Sequence, residues 1–251
     1  MNLEKRQEKW LLDEKYKSRK CEAFSADLEK LKKGYPLDFL IGNRPFLNCK
    51  IDLSYKPLIP RDETEFLVSE IIKNINQKEN EKLDVLDIFS GSGCIGVSIL
   101  KNCPKTKVHF SEINQNYLKQ IQINLKENIK DFENKSEVIC SDIFENINKK
   151  YNLIIANPPY IPQNQKEKVQ KSVLNFEDPN ALFAKNKGLY FIEKLIDQGF
   201  KYLKENGKMY IEFDQQQKDD IQKMLQENKN YSEFKFLKDQ FDKYRFVEIK
   251  K

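Results

Sequence analysis

Residues 84–100 read DVLDIFSGSGCIGVSIL. Asp84 to Phe89 is a short apolar run of strand length. It halts at Ser90-Gly91-Ser92-Gly93, and Ile95 to Leu100 resumes as a helix. Glycines at such a point permit a tight turn and let a ligand come close to the backbone. Strand, glycine loop and helix in that order form the opening unit of a parallel α/β sheet.

The alternation repeats on both sides. Upstream, Phe66, Leu67, Ile71 and Ile72 suit one face of a helix. Downstream, Lys107 to Phe110 predicts a second strand, ending at Glu112. Asn114 is placed to cap the next helix, whose apolar face is Leu118, Ile121 and Leu125. Ser136 to Cys140 predicts a third strand ending at Asp142, and Asn152 to Ala156 a fourth ending at Asn157-Pro158-Pro159-Tyr160. A loop of about 25 residues rich in Lys and Gln follows. Then come a helix from about Gly188 to Leu203, a strand Met209 to Phe213 after Gly207, and a helix over 218–228. Two closing strands lie near Phe234 to Leu237 and Phe246 to Ile249.

The expected fold is therefore α/β: a seven-stranded, mostly parallel sheet with helices on both faces. The short turn before the final strand predicts that this strand runs antiparallel. Three parts are expected: a short N-terminal helical segment (1–35), an extended linker or hairpin (36–60) and the α/β domain (61–251). Pro45, Pro57 and Pro60 argue against helix in the middle part.

Composition removes several kinds of chemistry. The chain has 251 residues, 44 Lys and Arg against 39 Asp and Glu, and a net charge of +5. This mild excess permits an acidic partner without requiring one. The 17 Phe and 11 Tyr supply a core despite the polar average. Five cysteines without a Cys-x-x-Cys pair argue against a disulfide scaffold or a structural zinc. His109 is the single histidine, so His-based triads and His-rich metal sites are not expected, and no metal is assigned. No apolar run reaches the ~20 residues needed to span a bilayer. Residues 1–33 contain no apolar signal core, and Glu4, Glu8, Asp13 and Glu14 do not suit a transit peptide. A cytoplasmic or mitochondrial monomer is expected, with no membrane partner.

In open α/β sheets ligands sit beyond the carboxyl ends of the strands. The loop at Gly91, Glu112, Asp142 and Asn157 should therefore meet in one crevice. Gly91, Gly93 and Gly96 match a G-x-G-x-x-G spacing, which serves either a dinucleotide or S-adenosylmethionine (SAM). Glu112 follows at the distance expected for a group that binds ribose hydroxyls in either case. Asp142 offers an acceptor to an exocyclic amine such as that of adenine, with Ile143 and Phe144 as an apolar wall.

Asn157-Pro158-Pro159-Tyr160 distinguishes the two. Pro158 restrains Asn157 to extended geometry. The two prolines stiffen the loop and remove two donors. The Asn157 side-chain oxygen and the Pro158 carbonyl can then accept both hydrogens of a planar NH2 group. Tyr160 can lay its ring over that group. An amide nitrogen is a poor nucleophile, and holding both hydrogens turns its lone pair toward an electrophile. SAM presents an activated methyl on a cationic sulfur, so in-line transfer needs alignment more than a strong base.

At these residues the chain resembles class I SAM-dependent methyltransferases, and more narrowly the HemK/PrmC type that methylates a glutamine side-chain nitrogen (N5) in peptide chain release factors. The resemblance runs from about Pro36 to the C-terminus. Besides the glycine loop and Asn157 to Ile161, it includes Pro36 to Gly42 with Phe46, Ile59-Pro60-Arg61-Asp62-Glu63-Thr64-Glu65, Phe176 to Phe183, and Ile211-Glu212-Phe213 with Gln216. It implies that Phe89, Ser90, Gly91, Ser92 and Gly93 line SAM, that Glu112 holds its ribose, and that Asp142 and Ile143 border its adenine. Asn157, Pro158, Pro159 and Tyr160 would bind the glutamine amide, with Asn157, Pro158 and Tyr160 catalytic and Asn157 also beside the cofactor. Arg61, Glu63 and Thr64 would lie near the cofactor. The implied acceptor is a release factor, in its Gly-Gly-Gln motif. The chain departs from the family in two places. Phe89 stands where a small residue, often Gly, is common, and is strained if that position takes a left-handed backbone. The N-terminal helical part is short.

Two other readings share the motif. Nucleic-acid amino methyltransferases, acting on adenine N6 or cytosine N4, also bind NH2 on an sp2 carbon. They need extra chain for base recognition and flipping, whereas the residues after Tyr160 only complete the sheet, so nucleic acid is not required as a partner. A non-catalytic subunit would not need an intact Asn157 and glycine loop.

Overall fold

The computed structural model describes residues 3–77 and 82–251, Leu3 by its backbone only. The first two residues of the expected N-terminal segment lie outside it. That segment forms α1 (Leu3–Tyr16) and α2 (Glu22–Lys32), which pack with α3 (Leu37–Ile41) around Leu11, Phe24, Leu37 and Leu40. α3 replaces the extended chain expected at 37–41. Pro36 caps its start and Gly42, at φ +89°, ends it, so one short helix fits between the two punctuating residues.

A hairpin follows: β1 (Asn43–Phe46) and β2 (Cys49–Asp52), paired antiparallel. Phe46, Cys49, Ile51, Leu53 and Ile59 are buried within the larger core, not exposed as a free linker. The rest of the chain is α4 (Asp62–Gln77), β3 (Asp84–Ile88), α5 (Cys94–Asn102), β4 (Lys107–Glu112), α6 (Gln115–Asn128), β5 (Ser136–Cys140) and β6 (Tyr151–Ala156). After the Asn157 motif come β7 (Ile161–Pro162), α7 (Lys171–Phe176), β8 (Phe183–Ala184), α8 (Tyr190–Gln198), β9 (Leu203–Glu212), α9 (Lys218–Glu227), β10 (Glu233–Lys238) and β11 (Tyr244–Lys250).

The main sheet has seven strands in the order β10-β11-β9-β6-β3-β4-β5. β3 pairs parallel with β4 and β6, β4 with β5, and β6 with β9. β11 runs antiparallel between β9 and β10. Side chains alternate faces along each strand. Val85, Ile155, Tyr210 and Phe246 join the core under α4, α5, α6 and the hairpin. Leu86, Ile154, Ile211 and Val247 join the core under α8 and α9. The helices thus cover both faces, as expected.

Two boundaries differ from the sequence expectation by more than three residues. The helix expected from Gly188 to Leu203 is shorter, and β9 begins at Leu203 instead of Met209. Gly207 lies inside the strand at a register shift, beside Asn206 at φ +60°, and does not separate helix from strand. The long loop after Tyr160 carries short helical turns and the small β7–β8 pair. The chain order turns at β3: β4 and β5 continue to one side, and β6 returns on the other. Ligand crevices of open sheets form at such a reversal.

Candidate active site

At the end of β3 the backbone is left-handed three times, at Phe89 (φ +62°), Gly91 (φ +54°) and Gly93 (φ +77°). The Ser90 hydroxyl donates to Asp87 O (2.7 Å) and Ser111 O (3.2 Å), which ties the loop to β3 and β4. Gly93 caps α5, and a Cβ there would stand 3.2 Å from Ile121. Gly96 allows α5 to press on β4, where a Cβ would lie 2.3 Å from Phe110. Asp87 Oδ2 accepts the Gly96 amide (2.9 Å), while Oδ1 has no partner among the described residues. Full burial drives the Asp87 carboxyl well above its ordinary range, with nearby Glu112 adding to it and the Gly96 bond opposing it.

A cavity of about 590 Å³ opens beyond the strand ends, lined by Phe89, Gly91, Glu112, Asp142, Ile143 and Asn157 among others. The glycine loop and the ends of β4, β5 and β6 therefore do meet. Pro159 also lines it, but Ser90, Ser92, Gly93, Pro158 and Tyr160 are not among its lining residues. Ser90, Ser92 and Gly93 instead hold the loop to the elements around it: Ser92, for example, accepts the Cys94 amide at its side chain and Asn124 Nδ2, from α6, at its carbonyl.

Glu112 is buried at the cavity wall. Its Oε2 accepts the Gly91 amide and its Oε1 the Ile113 and Asn114 amides, each at 2.9 Å. Burial raises its carboxyl pKa, against the pull of these three bonds. Asp142 is exposed at the rim. Ile143 has φ +50°, a conformation rare for a β-branched residue. Its carbonyl is held there by the Ser111 (3.0 Å) and Ser141 (3.1 Å) hydroxyls. The sequence gives no local sign of this strain.

At the other end of the cavity Asn157 Nδ2 donates to Thr64 Oγ1 (3.1 Å). Thr64 Oγ1 donates to Glu212 Oε2 (2.6 Å), and the Tyr160 hydroxyl donates to Glu212 Oε1 (3.1 Å). Thr64 and Glu212 are both buried. Burial pushes the Glu212 carboxyl up to about 7, although the Thr64 and Tyr160 bonds and the Arg245 charge pull it down; Glu63 adds to the rise. Tyr160 is held at both ends, because Gln217 Nε2 donates to its carbonyl (2.9 Å). Gly188 clears the space beside that carbonyl: at φ +84°, a Cβ there would lie 2.0 Å from Tyr160 O. The phenol thus points to Glu212, where the sequence alone suggested a ring laid over the acceptor. Gln217 makes this contact, whereas Gln216, the residue the motif drew attention to, is exposed.

The Phe176 to Phe183 segment also finds a place. Arg61 binds buried Glu177 through both carboxylate oxygens (2.8 and 2.9 Å), and Glu177 also accepts the Ile59 amide (3.2 Å). Next to it Asp178 accepts from the Tyr117 hydroxyl (3.0 Å) and lines the cavity. Arg61 therefore anchors one wall.

The residues present suit SAM. Gly91 lines the cavity, and a Cβ on it would meet only the Phe89 carbonyl, at 4.0 Å, so it would stand in the space a ligand needs. The same lining holds a buried carboxylate (Glu112), an exposed carboxylate (Asp142) and apolar Phe89, Ile113 and Ile143, a mixture of acceptors and apolar surface that suits a nucleoside. Among the described residues no group of three or more His, Cys, Asp or Glu is arranged to hold a metal, and no helix is long and apolar enough to cross a membrane.

Comparison with known proteins agrees with this chemistry. Residues 62–182 match the family model described as Methyltransferase small domain. The release factor glutamine methyltransferase of Lactococcus lactis subsp. lactis is 30% identical over 240 residues, covering 96% of this chain and 86% of that protein. That of Mycoplasma mycoides subsp. mycoides SC is 36% identical over 249 residues, covering 95% and 84%. Among solved structures, the hMettl16 catalytic domain bound to a MAT2A 3′UTR hairpin superposes with a TM-score of 0.63 at 14% identity, covering 81% of this chain and 76% of that one. The ribosomal protein L11 methylase of Lactobacillus delbrueckii subsp. bulgaricus gives 0.53 at 19% identity, covering 77% and 80%. At those identities the structures speak for the fold alone. The sequence relatives, aligned along most of both chains, show more: this chain belongs to the release factor glutamine methyltransferases, a SAM-dependent family.

Proposed function

We propose that the protein transfers a methyl group from SAM to the side-chain nitrogen of a glutamine in a class 1 peptide chain release factor, in its Gly-Gly-Gln motif. The observation that carries this reading is Asn157, set at the cavity wall with its NH2 committed to Thr64. Its Oδ1 is then left to accept from an incoming NH2 group. Bound SAM would supply an activated methyl on a cationic sulfur.

The chain's own residues bind and orient. Phe89, Gly91, Asp142 and Ile143 form the cofactor wall, and Glu112 offers its one remaining acceptor site, on Oε2, to a ribose hydroxyl. Ser90, Ser92 and Gly93 keep the loop in shape. Pro158 and Pro159 are buried and hold the Asn157 backbone stiff. The Pro158 carbonyl supplies a second acceptor for the amide. Tyr160 acts through its fixed position and its bond to Glu212. Fixing both amide hydrogens lets the nitrogen pyramidalise as it attacks, and carbonyl dipoles stabilise the positive charge that develops on it. Alignment supplies the catalysis here, which agrees with a chain that has one histidine.

The test is to incubate the protein with methyl-labelled SAM and a class 1 release factor, then map the label by mass spectrometry. Label on the glutamine side-chain nitrogen is expected. Label on adenine of an added nucleic acid, with none on glutamine, would overturn the reading.

A further inference from the structure

We infer that Glu212 is a positioning residue for the acceptor amide, setting through Thr64 which way the Asn157 carboxamide faces. The inference rests on the proposed glutamine chemistry and adds how the clamp is oriented. Thr64 has one hydroxyl proton. The 2.6 Å contact with Glu212 Oε2 takes that proton. Thr64 can then only accept from Asn157, so Asn157 must turn its NH2 to Thr64 and its Oδ1 away. Tyr160 completes the pattern by giving its proton to Glu212 Oε1. An ionised Glu212 accepts both protons and leaves one consistent arrangement. Tyr160 and Asn157, at the two ends of the motif, are thus locked by one buried carboxyl on a different strand.

Protonation of Glu212 removes that consistency. A proton on Oε2 is donated to Thr64, which frees the Thr64 proton for the Asn157 oxygen and turns the carboxamide over. A proton on Oε1 faces Tyr160 and displaces the phenol's own proton. The groups facing Glu212 are Thr64 and Glu63 on α4, Cys94 at the start of α5, Tyr160 after β6, and Arg245 on β11; the Cys94 thiol is itself pushed up by burial and stays neutral. Arg245 and the two hydroxyls favour the ionised form, while burial and Glu63 favour the protonated one, so the change falls at about 7. Turnover is therefore expected to rise as pH passes upward through that value.

Three variants test this in the full chain, with single-turnover methyl transfer to a release factor at saturating SAM as the rate. Thr64→Val keeps the shape but cannot accept from Asn157. Its rate is expected to fall roughly a hundredfold, the scale of a misplaced reacting group, with SAM affinity unchanged, since neither Thr64 nor Glu212 lines the cavity. Thr64→Ser restores the hydroxyl and is expected to recover most of the rate. Glu212→Gln still accepts from one neighbour but does not titrate, and is expected to lose the pH dependence near neutrality. A wild-type rate in Thr64→Val, or a wild-type pH profile in Glu212→Gln, would overturn the inference. If Glu212→Gln does not fold, the Thr64 pair decides. Product mapping on the wild-type protein is read separately: label on glutamine with an unaffected Thr64→Val refutes the positioning role alone, and label elsewhere refutes the function beneath it.

Discussion

On the proposed reading Asn157 and Glu112 divide the site between two tasks, and single substitutions should separate them. Asn157→Ala removes the acceptor proposed for the amide, so turnover is expected to fall by roughly 10²–10³ while SAM affinity holds. Glu112→Ala removes the acceptor proposed for the ribose and leaves the Gly91, Ile113 and Asn114 amides without their partner. SAM affinity is then expected to drop, by roughly ten- to a hundredfold for hydrogen bonds to a charged group. Calorimetric titration with SAM beside steady-state kinetics checks both; the reverse pattern would contradict the assignment. Phe89 carries a different cost. At φ +62° a side chain crowds its own backbone by about 1–2 kcal/mol. Its ring edge packs on Phe191, with centroids 5.2 Å apart. Phe89→Gly and Phe89→Ala both lose the ring, but only Gly relieves the backbone. Phe89→Gly is expected to be about 1 kcal/mol more stable than Phe89→Ala in denaturant unfolding; equal stabilities would show that the turn is unstrained. This strain follows from an unusual residue at a known kind of turn. The matching strain at Ile143 has no such sign, because it comes from hydroxyls on β4 and after β5 that grip one carbonyl.

Elements long enough to show a pattern in nearby residues are legible, and those that are very short or shaped by distant contacts are not. β3 through β6 follow from short apolar runs, each ending in a polar or glycine turn. Asn114 caps α6 as expected, accepting the Asn116 amide. α3 does not show in the sequence because five residues between Pro36 and Gly42 are too few to show periodicity. The start of β9 does not show either, because its pairing with β6, across a register shift, carries the strand through Gly207. The glycine loop gives the sharpest element-scale prediction. Gly96 lets α5 approach β4, and a methyl there would overlap the buried Phe110 and Val108 side chains. Gly96→Ala is expected to cost about 1–3 kcal/mol, read as a melting temperature lower by several degrees. An unchanged melting temperature would show that helix and sheet can part at no cost.

Across the whole molecule, the sheet brings together residues that no local pattern connects. Glu112, Asp142 and Asn157 share a cavity because each lies at the carboxyl end of a parallel strand, and that much can be read from strand order. The bond from Thr64 to Glu212 joins residues 148 apart in sequence. It needs α4 to start over the end of β9, which depends on the packed core and not on any motif. The Arg61–Glu177 pair, 116 residues apart, is of the same kind and fixes the loop that closes the cavity. The central claim is that this assembly presents Asn157 Oδ1 to a planar nitrogen, with the methyl donor behind it. The most direct measurement is a crystal structure with S-adenosylhomocysteine and a release factor bound. The account predicts the glutamine amide between Asn157 Oδ1 and the cofactor sulfur, with Asn157 Nδ2 still on Thr64. A sulfur lying away from Asn157, or a carboxamide turned with its NH2 toward the glutamine, would contradict it.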